Sequence, residues 1–569
     1  MSVFFNGRLW ETPATMSMVD DSAMYNRNPN VGNVLAIIGK AEGGKPFTDL
    51  RFGSAQEAKA VLRSGEALKA IEKAYDPSTQ TAAPAEIVFV RVNPASQAAL
   101  SLKDSGGNDV IELVSEGYGL FANNIKVKVE AGSVKGKKVT TQFGNSYYSE
   151  DNVARDAFIV QYTGAAATAT MSIDAASVTL SVAGSSDVVI DLETYNTIGS
   201  LVDRISAELA FSSSVLDGND EKPAFNGLDF VTAQNIKTAF TATGNLQAII
   251  EWFNGNGEGF ATASRVTNAG AMPANTPFVY LSGASNGQVT LNEWQQAYDI
   301  LQQVDVQWVV PVSPNPAIHA MNDAHCAFMS NVARKERRGF VGGDVNASDD
   351  DAIAAAKALN SDRTSYVHLG FYDYNDAGKL TLYPAYILAG QLAGMFSGVN
   401  PGTALTNKTI KVRGLERKLR NPTDTDKLIR GGVLCVEDTA EGYKVVKSIS
   451  TWLVNSNYNR VEVSTGVALD YVSRAVRNAL DVLKGAKGSP LLLSEAVSRA
   501  DTILSELARP EPMGIGVIVG DKLNPPYKNI TASLEGDVLR VEFECSPVIP
   551  CNFVAVVIHA VPYKGSASA

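Results

Sequence analysis

The sequence predicts an α/β protein of several domains, α+β in overall make-up. A parallel or mixed sheet forms its core, with a β-rich insertion and a terminal arm at each end. Three observations carry this. Short, near-continuous apolar runs alternate with amphipathic helical stretches in two separate parts of the chain, as strands buried on both faces of a parallel sheet do. Between those parts the composition shifts to Ala, Thr, Ser and Gly. The chain then ends on two β-prone segments, 537–547 (DVLRVEFECSP) and 552–563 (NFVAVVIHAVPY), separated by a break at Pro547 and Pro550.

Composition sets the outer limits. A chain of 569 residues has room for about three or four domains. Its 45% hydrophobic and 19% charged residues are those of a globular protein. A net charge of −11 argues against wrapping nucleic acid. Residues 1–10 (MSVFFNGRLW) lack the basic start and apolar core of a secretory signal. The most apolar helical stretch, 382–396, is too short to span a bilayer and contains Gly390, Gln391 and Gly394. These features point to a cytoplasmic folding compartment. Four cysteines are too few for a disulfide framework. Cys326 and Cys435 read as buried thiols, while Cys545 and Cys551 flank the proline bend and could bridge it only under oxidising conditions.

Taken in chain order, 12–19 (TPATMSMV) suits one extended segment, and 31–38 (VGNVLAII) a buried strand. Residues 54–74 read as one amphipathic helix with Ala58, Val61, Leu62, Leu68 and Ile71 inward, Ser54 capping it and Glu57 completing a capping box. A second buried strand is expected at 87–92 (IVFVRV). In the Ala/Thr/Ser/Gly-rich region, 168–192 reads as three short strands, and 197–209 carries Ile198, Leu201, Val202, Ile205 and Leu209 at helical spacing. The glycines Gly255, Gly257 and Gly259 mark the way back. Strands are then expected at 304–312, 339–341 and 366–372, between helices at 292–302, 317–333 and 350–359. Residues 412–420 (VRGLERKLR) read as a helix. At 467–483, Leu469, Val472, Val476, Leu480 and Leu483 face inward, with Arg474, Arg477, Asp481 and Lys484 as the outer stripe. Ser489 and Pro490 open a last helix that stops before Pro510.

Catalytic patterns are scarce. There is neither a phosphate-binding GxxxxGK[ST] loop nor a GxSxG elbow; the glycine–lysine turns at 39–45 and 483–489 have the wrong spacing. The four histidines are His319, His325, His368 and His559. His319 and Cys326 could share a helix face, but no third ligand stands at a suitable spacing, so satisfied polar residues near a core are the better reading. Asp349, Asp350 and Asp351 suit a helix N-terminus, where carboxylates complement the macrodipole, better than a cation site. No metal or cofactor is expected. Two basic clusters, 334–338 and 413–420, read first as solvated surface, then as protein-contact patches, and last as phosphate sites.

An apolar strand at a terminus cannot stay solvated, because its open edge would template association. It pairs within its own domain or with a neighbouring copy. The order of segments resembles that of the contractile tail sheath proteins of bacteriophages. The matching stretches are VLAIIG (34–39) with AEGGKP, EIVFVRV (86–92), GLFANNIKVKVE (119–130), the run from VQWVVPVSPNPAIH (306–319) through ERRGFVGG (336–343), PAYILAGQLAGMF (384–396), LTNKTIKVRGLERKL (405–419), GGVLCVEDTAEGYKVVKSISTW (431–452), RVEVSTGVALDYVSRAVRNAL (460–480) and GDVLRVEFECSPVIPCNFVAVVIH (536–559). The region 131–275 matches least.

The resemblance implies a non-enzymatic subunit that assembles with itself as hexameric rings in a helical sheath. Further partners would be the tail tube protein and the baseplate and tail-terminator proteins, with no direct nucleic acid contact and no membrane insertion. The subunit would be built in the host cytoplasm and reside in the virion tail. The organisation implied is an N-terminal arm at 1–25, a first core segment at 26–115, a variable insertion at 116–275, a second core segment at 276–445, a C-terminal domain at 446–547 and a C-terminal arm at 548–569. Terminal arms of neighbouring subunits would pair with the C-terminal domain. The positions that match are Thr15, Met16, Ser17, Met18 and Val19 in one arm, and Phe553, Val554, Val556 and Ile558 in the other. Val538, Arg540, Val541 and Phe543 would form the receiving edge. Arg334, Arg337, Arg338, Arg474, Arg477 and Lys484 are candidates for charge contacts with adjacent sheath or tube subunits. The competing readings are the sheath of a related contractile injection device, and an α/β enzyme using His319, His368 or Asp349.

Overall fold

The structure, a computed structural model, describes Val3–Phe5, Arg8–Trp10, 33–256, 260–563 and Gly565. The segment expected to lend a strand at 12–19 lies outside the described residues. The chain forms two compact units, one of 1–36, 73–87 and 305–569, the other of 37–72 and 88–304. It passes between them within the strands Val34–Gly39 and Glu86–Arg91, and again after residues 72 and 304.

The second unit is mostly antiparallel sheet around two separate hydrophobic clusters. One cluster, with Ile111, Leu113, Val127, Val129, Trp252 and Phe253 at its centre, lies among the strands Gln97–Lys103, Asp109–Tyr118, Lys126–Ala131 and Lys137–Phe143 and the helix Asn245–Asn256. The other gathers Phe158, Met171, Leu180, Ile190, Leu201 and Ile205. It contains the three strands expected between 168 and 192, observed as Ala169–Ile173, Ser177–Val182 and Val188–Asp191, and the helix Ile198–Ser206 capped by Thr197. The single helix expected at 54–74 is two, Ala55–Leu62 and Glu66–Tyr75. Arg63 turns left-handed at φ 69 and Gly65 comes next at φ 113, so the helical hydrogen bonds cannot continue, and Val61 is left 39% exposed. Arg91, the arginine inside the second strand, is fully buried. Its guanidinium donates to the carbonyls of Gly44 (2.6 Å) and Tyr118 (2.8 Å), and burial pushes its pKa down to about 10.

The first unit holds a parallel sheet of Trp308–Pro311, Arg338–Gly342, Thr364–His368 and Val433–Thr439, with Gly442–Val445 joining antiparallel at the end. The first three of these strands are buried at every residue, as is Val433–Val436 in the fourth, and Trp308–Pro311 and Val433–Val436 read as unbroken apolar runs for that reason. The helix Ala385–Ser397 is buried at all thirteen positions. Gly342 permits its close approach, since a Cβ there would stand 2.6 Å from the backbone of Ala385. Trp308 then stacks on Phe396 at 5.0 Å.

Residues 412–420 do not form the expected helix. Gly414–Leu415 is a short strand against Phe371–Tyr374, fixed by Arg413 N–H to the Tyr372 carbonyl and Glu416 N–H to that of Gly370, both 2.9 Å. A long-range ladder overrides local helix propensity here. Further on, the helices Val463–Asp481 and Pro490–Leu507 pack on a hairpin of Tyr527–Glu535 and Val538–Cys545. Ala468, Tyr471, Val472, Leu504 and Ile518 are buried between them, with Phe543 against them.

Candidate assembly interface

The hairpin's form is set by its sequence. Ala532 on one strand and Leu539, Val541, Phe543 and Cys545 on the other alternate with charged residues, so one face packs on Leu483, Leu492 and Ala496 and the other meets water. Gly536, at φ 61, and Asp537 make the two-residue turn between Glu535 and Val538. The outer face carries Lys528 paired with Glu544 (3.3 Å) and Arg540 with Glu542 (3.7 Å), pairs too exposed to contribute much stability. A two-stranded ribbon is marginal alone. Among the described residues no third strand pairs with either edge. The first hairpin strand was not legible at the sequence level, although the turn Glu535-Gly536-Asp537 after alternating Ile530, Ala532 and Leu534 was the signal for it.

The C-terminal segment 552–563, expected to be a strand, forms none in this protomer. Seven large apolar side chains from Phe553 to Tyr563 are 76–96% exposed. Phe553, Val554, Val556 and Ile558 are among them. Burying such a set against a partner would contribute on the order of 10 kcal/mol before the entropy of ordering. Cys545 and Cys551 are both free thiols. A groove of about 1070 Å³ runs beside the hairpin turn, lined by Leu480, Lys484, Leu492, Leu534 and Val538 among others.

The candidate charge contacts divide. Arg337, Arg338 and Arg474 are buried inside the protomer, which corrects their reading as groups that meet neighbours. Arg474 donates from Nε to Glu336 Oε2 (3.0 Å) and from Nη1 to Asp305 Oδ1 (3.0 Å); Arg477, half-buried, reaches the same Glu336 (2.7 Å). Arg338 and Arg363 both hold Asp470, at 3.2 and 2.8 Å. Gly466 makes room for this, because a Cβ there would stand 2.0 Å from the Arg338 guanidinium. The face of helix Val463–Asp481 that reads as an outer stripe is therefore bolted to the parallel sheet. Buried cations need such partners, and sequence spacing does not reveal that the partners lie over a hundred residues away. Only Arg334 and Lys484 of the six are exposed.

The polar residues of the enzyme reading are placed as follows. His319 is buried and bonds the Ser313 carbonyl at 2.8 Å. His325 accepts from Arg337 Nη1 at 2.9 Å, and burial, reinforced by that cation, pushes its pKa down to about 3. His368 does meet Asp349 (2.9 Å), beside Cys435 on the neighbouring strand. Burial holds that imidazole below its ordinary pKa and pushes the Cys435 thiol up to about 12. Asp349 also pairs with Arg417. Asp349, Asp350 and Asp351 form the first turn of the helix Asp349–Leu359, capped by Ser348, as expected from the macrodipole. Among the described residues no group of three or more His, Cys, Asp or Glu could hold a metal ion, and no helix is long and apolar enough to cross a membrane.

No protein-family model matches the chain. It is similar to the tail sheath protein of Bacillus phage SP01, 28% identical over 591 aligned positions that cover 99% of this chain and 98% of that one. It is also similar to the tail sheath protein of Staphylococcus phage Twort, at 23% identity and 97% of each chain. In fold it resembles the sheath tail proteins of Listeria innocua (TM-score 0.56, 14% identity, 93% of this chain and 94% of that one) and Desulfitobacterium hafniense (TM-score 0.55, 13% identity, 94% and 97%). By sequence over nearly its whole length, and by fold, this chain is a homologue of the phage tail sheath proteins.

Proposed function

We propose that this chain is the structural subunit of a contractile phage tail sheath, polymerising as stacked hexameric rings around a tail tube and shortening to drive the tube through the host envelope. It acts without catalysis, resides in the virion tail after assembly in the host cytoplasm, and meets tube, baseplate and tail-terminator proteins at its surfaces. The observation that carries the reading is the pairing of supply and demand at the C-terminus: among the described residues, a hairpin whose edges pair with no third strand, and an exposed apolar arm that forms no ladder.

Main-chain pairing depends little on side-chain detail, so it survives rotation of the bodies it links. Val538, Arg540, Val541 and Phe543 offer one such edge, and Phe553 to Ile558 one such arm. The insertion at 116–275 is a separate decoration in this reading, and Arg334 and Lys484 remain available for charge contacts between copies. About 5.5 kcal/mol moves a two-state balance from 1:99 to 99:1. Coupled rings in which each subunit gains about 3 kcal/mol therefore contract fully.

The test is negative-stain microscopy of the purified full-length protein and of a version ending at Asn552. The full chain is expected to form tubes, and the shortened chain to stay folded and unpolymerised. Tubes formed equally well by both would overturn the role of the arm.

A further inference from the structure

The geometry points to Glu462 as the positioning residue that sets where the C-terminal arm leaves the protomer, acting through Asn552; this rests on the strand-lending reading. Up to Asn552 the chain is tied down. Ser546 N–H donates to the Pro526 carbonyl (2.9 Å), Val548 N–H to that of Val517 (3.0 Å), and the Thr465 hydroxyl to the Val548 carbonyl (3.2 Å). The Val548 side chain fits over Gly402, where a Cβ would stand 2.4 Å from it. Asn552 is the last tie. Its Oδ1 accepts from the Thr406 hydroxyl (3.0 Å), and its Nδ2 donates to Glu462 Oε1 (2.7 Å). From Val554 to Tyr563, among the described residues, no hydrogen bond returns to the body.

Glu462 is 1% exposed, an unusual place for a carboxylate. It stands immediately before the helix Val463–Asp481, where the macrodipole favours a negative charge. Its Oε1 also lies 3.3 Å from Lys447 Nζ, and that ammonium is 5.9 Å from the centre of the Phe553 ring. Its Oε2 is buried with no hydrogen-bond partner. One working oxygen therefore holds both the arm's root and the cation beside the arm's first free residue. A charge-assisted bond is stronger than a neutral one, so the carboxylate makes the root firm while the residues beyond Asn552 stay free. When neighbours pull on the arm, the strain stops at Asn552, and 546–552 is not peeled from the domain.

The test is hydrogen exchange in the full-length chain before assembly, reading the amides of Ser546 and Val548. With Glu462→Ala, both are expected to exchange roughly 10-fold faster, while amides of the helix Pro490–Leu507 keep their rates. Asn552→Ala, a change at a half-buried position outside the hydrophobic core, is expected to do the same, and the double variant no more than either alone. Glu462→Gln keeps an accepting Oε1 without the charge and is expected to exchange at a rate between those of the unaltered chain and Glu462→Ala, which a general loss of packing would not predict. Unchanged rates at 546 and 548 in both alanine variants, or a Glu462→Gln variant as fast as Glu462→Ala, would overturn the assignment. Polymerisation is not needed for this reading, so a failure of the strand-lending proposal shows separately, as an arm that gains no protection in the polymer.

Discussion

Residues 306–312 (VQWVVPV) and 553–558 (FVAVVI) are nearly the same material: β-branched and aromatic, without charge. One is a core strand whose residues Trp308–Pro311 are all buried; the other lies open to solvent. Propensity does not separate them, and the supply of partners does. The first has a strand on Arg338–Gly342 to pair with and the helix Ala385–Ser397 to cover it, all within one chain. The second lies beyond the last tie at Asn552 and, among the described residues, pairs with no strand. A β-prone segment without an internal ladder is a demand on another molecule.

The sharpest way to break this comparison is to damage each segment in turn. Val310→Asp buries an unpaired charge in the sheet and is expected to prevent folding, seen as loss of the cooperative thermal transition. Val556→Asp in the arm is expected to leave that transition in place and to abolish tube formation. Equal effects of the two substitutions on folding would erase the distinction.

A smaller effect is expected at the bolted helix. Arg474→Ala leaves Asp305 and Glu336 short of a partner and should destabilise the first unit by about 3 kcal/mol in urea unfolding. If Arg474 instead served neighbours, stability would hold and assembly would fail.

Acid provides the next measure. The His325 pKa is about 3 in the folded state against 6.5 unfolded, so between those values the unfolded chain binds the extra proton. Stability should therefore be full above pH 6.5 and fall as pH drops toward 3, by on the order of 5 kcal/mol from this group. His325→Gln should flatten that part of the profile. The smallest effect is expected on the hairpin's outer face, where Arg540→Ala should change stability by no more than about 0.5 kcal/mol, because its ion pair is exposed.

Local signals carried much of the fold. Ser54 with Glu57, and Ser489 with Pro490, fix helix starts through contacts within a few residues, and unbroken apolar runs such as Trp308–Pro311 mark buried strands. The features that were not legible depend on distant partners. The sequence around Arg474 shows an amphipathic stripe, and only the fold brings Glu336 and Asp305 against it. The stretch 412–420 has helical composition, and only its ladder to Phe371–Tyr374 makes it extended. At the candidate site, the strand Val538–Cys545 could be read from its alternation, whereas the exposure of 552–563 in the protomer could not.

The most direct measurement is hydrogen exchange across 553–563 in the unassembled chain and in the tubes it forms. Lending of the strand to another copy predicts rapid exchange before assembly and protection of alternate or successive amides by roughly 100-fold afterwards. Exchange that stays rapid in well-formed tubes would mean that the arm does not pair between copies.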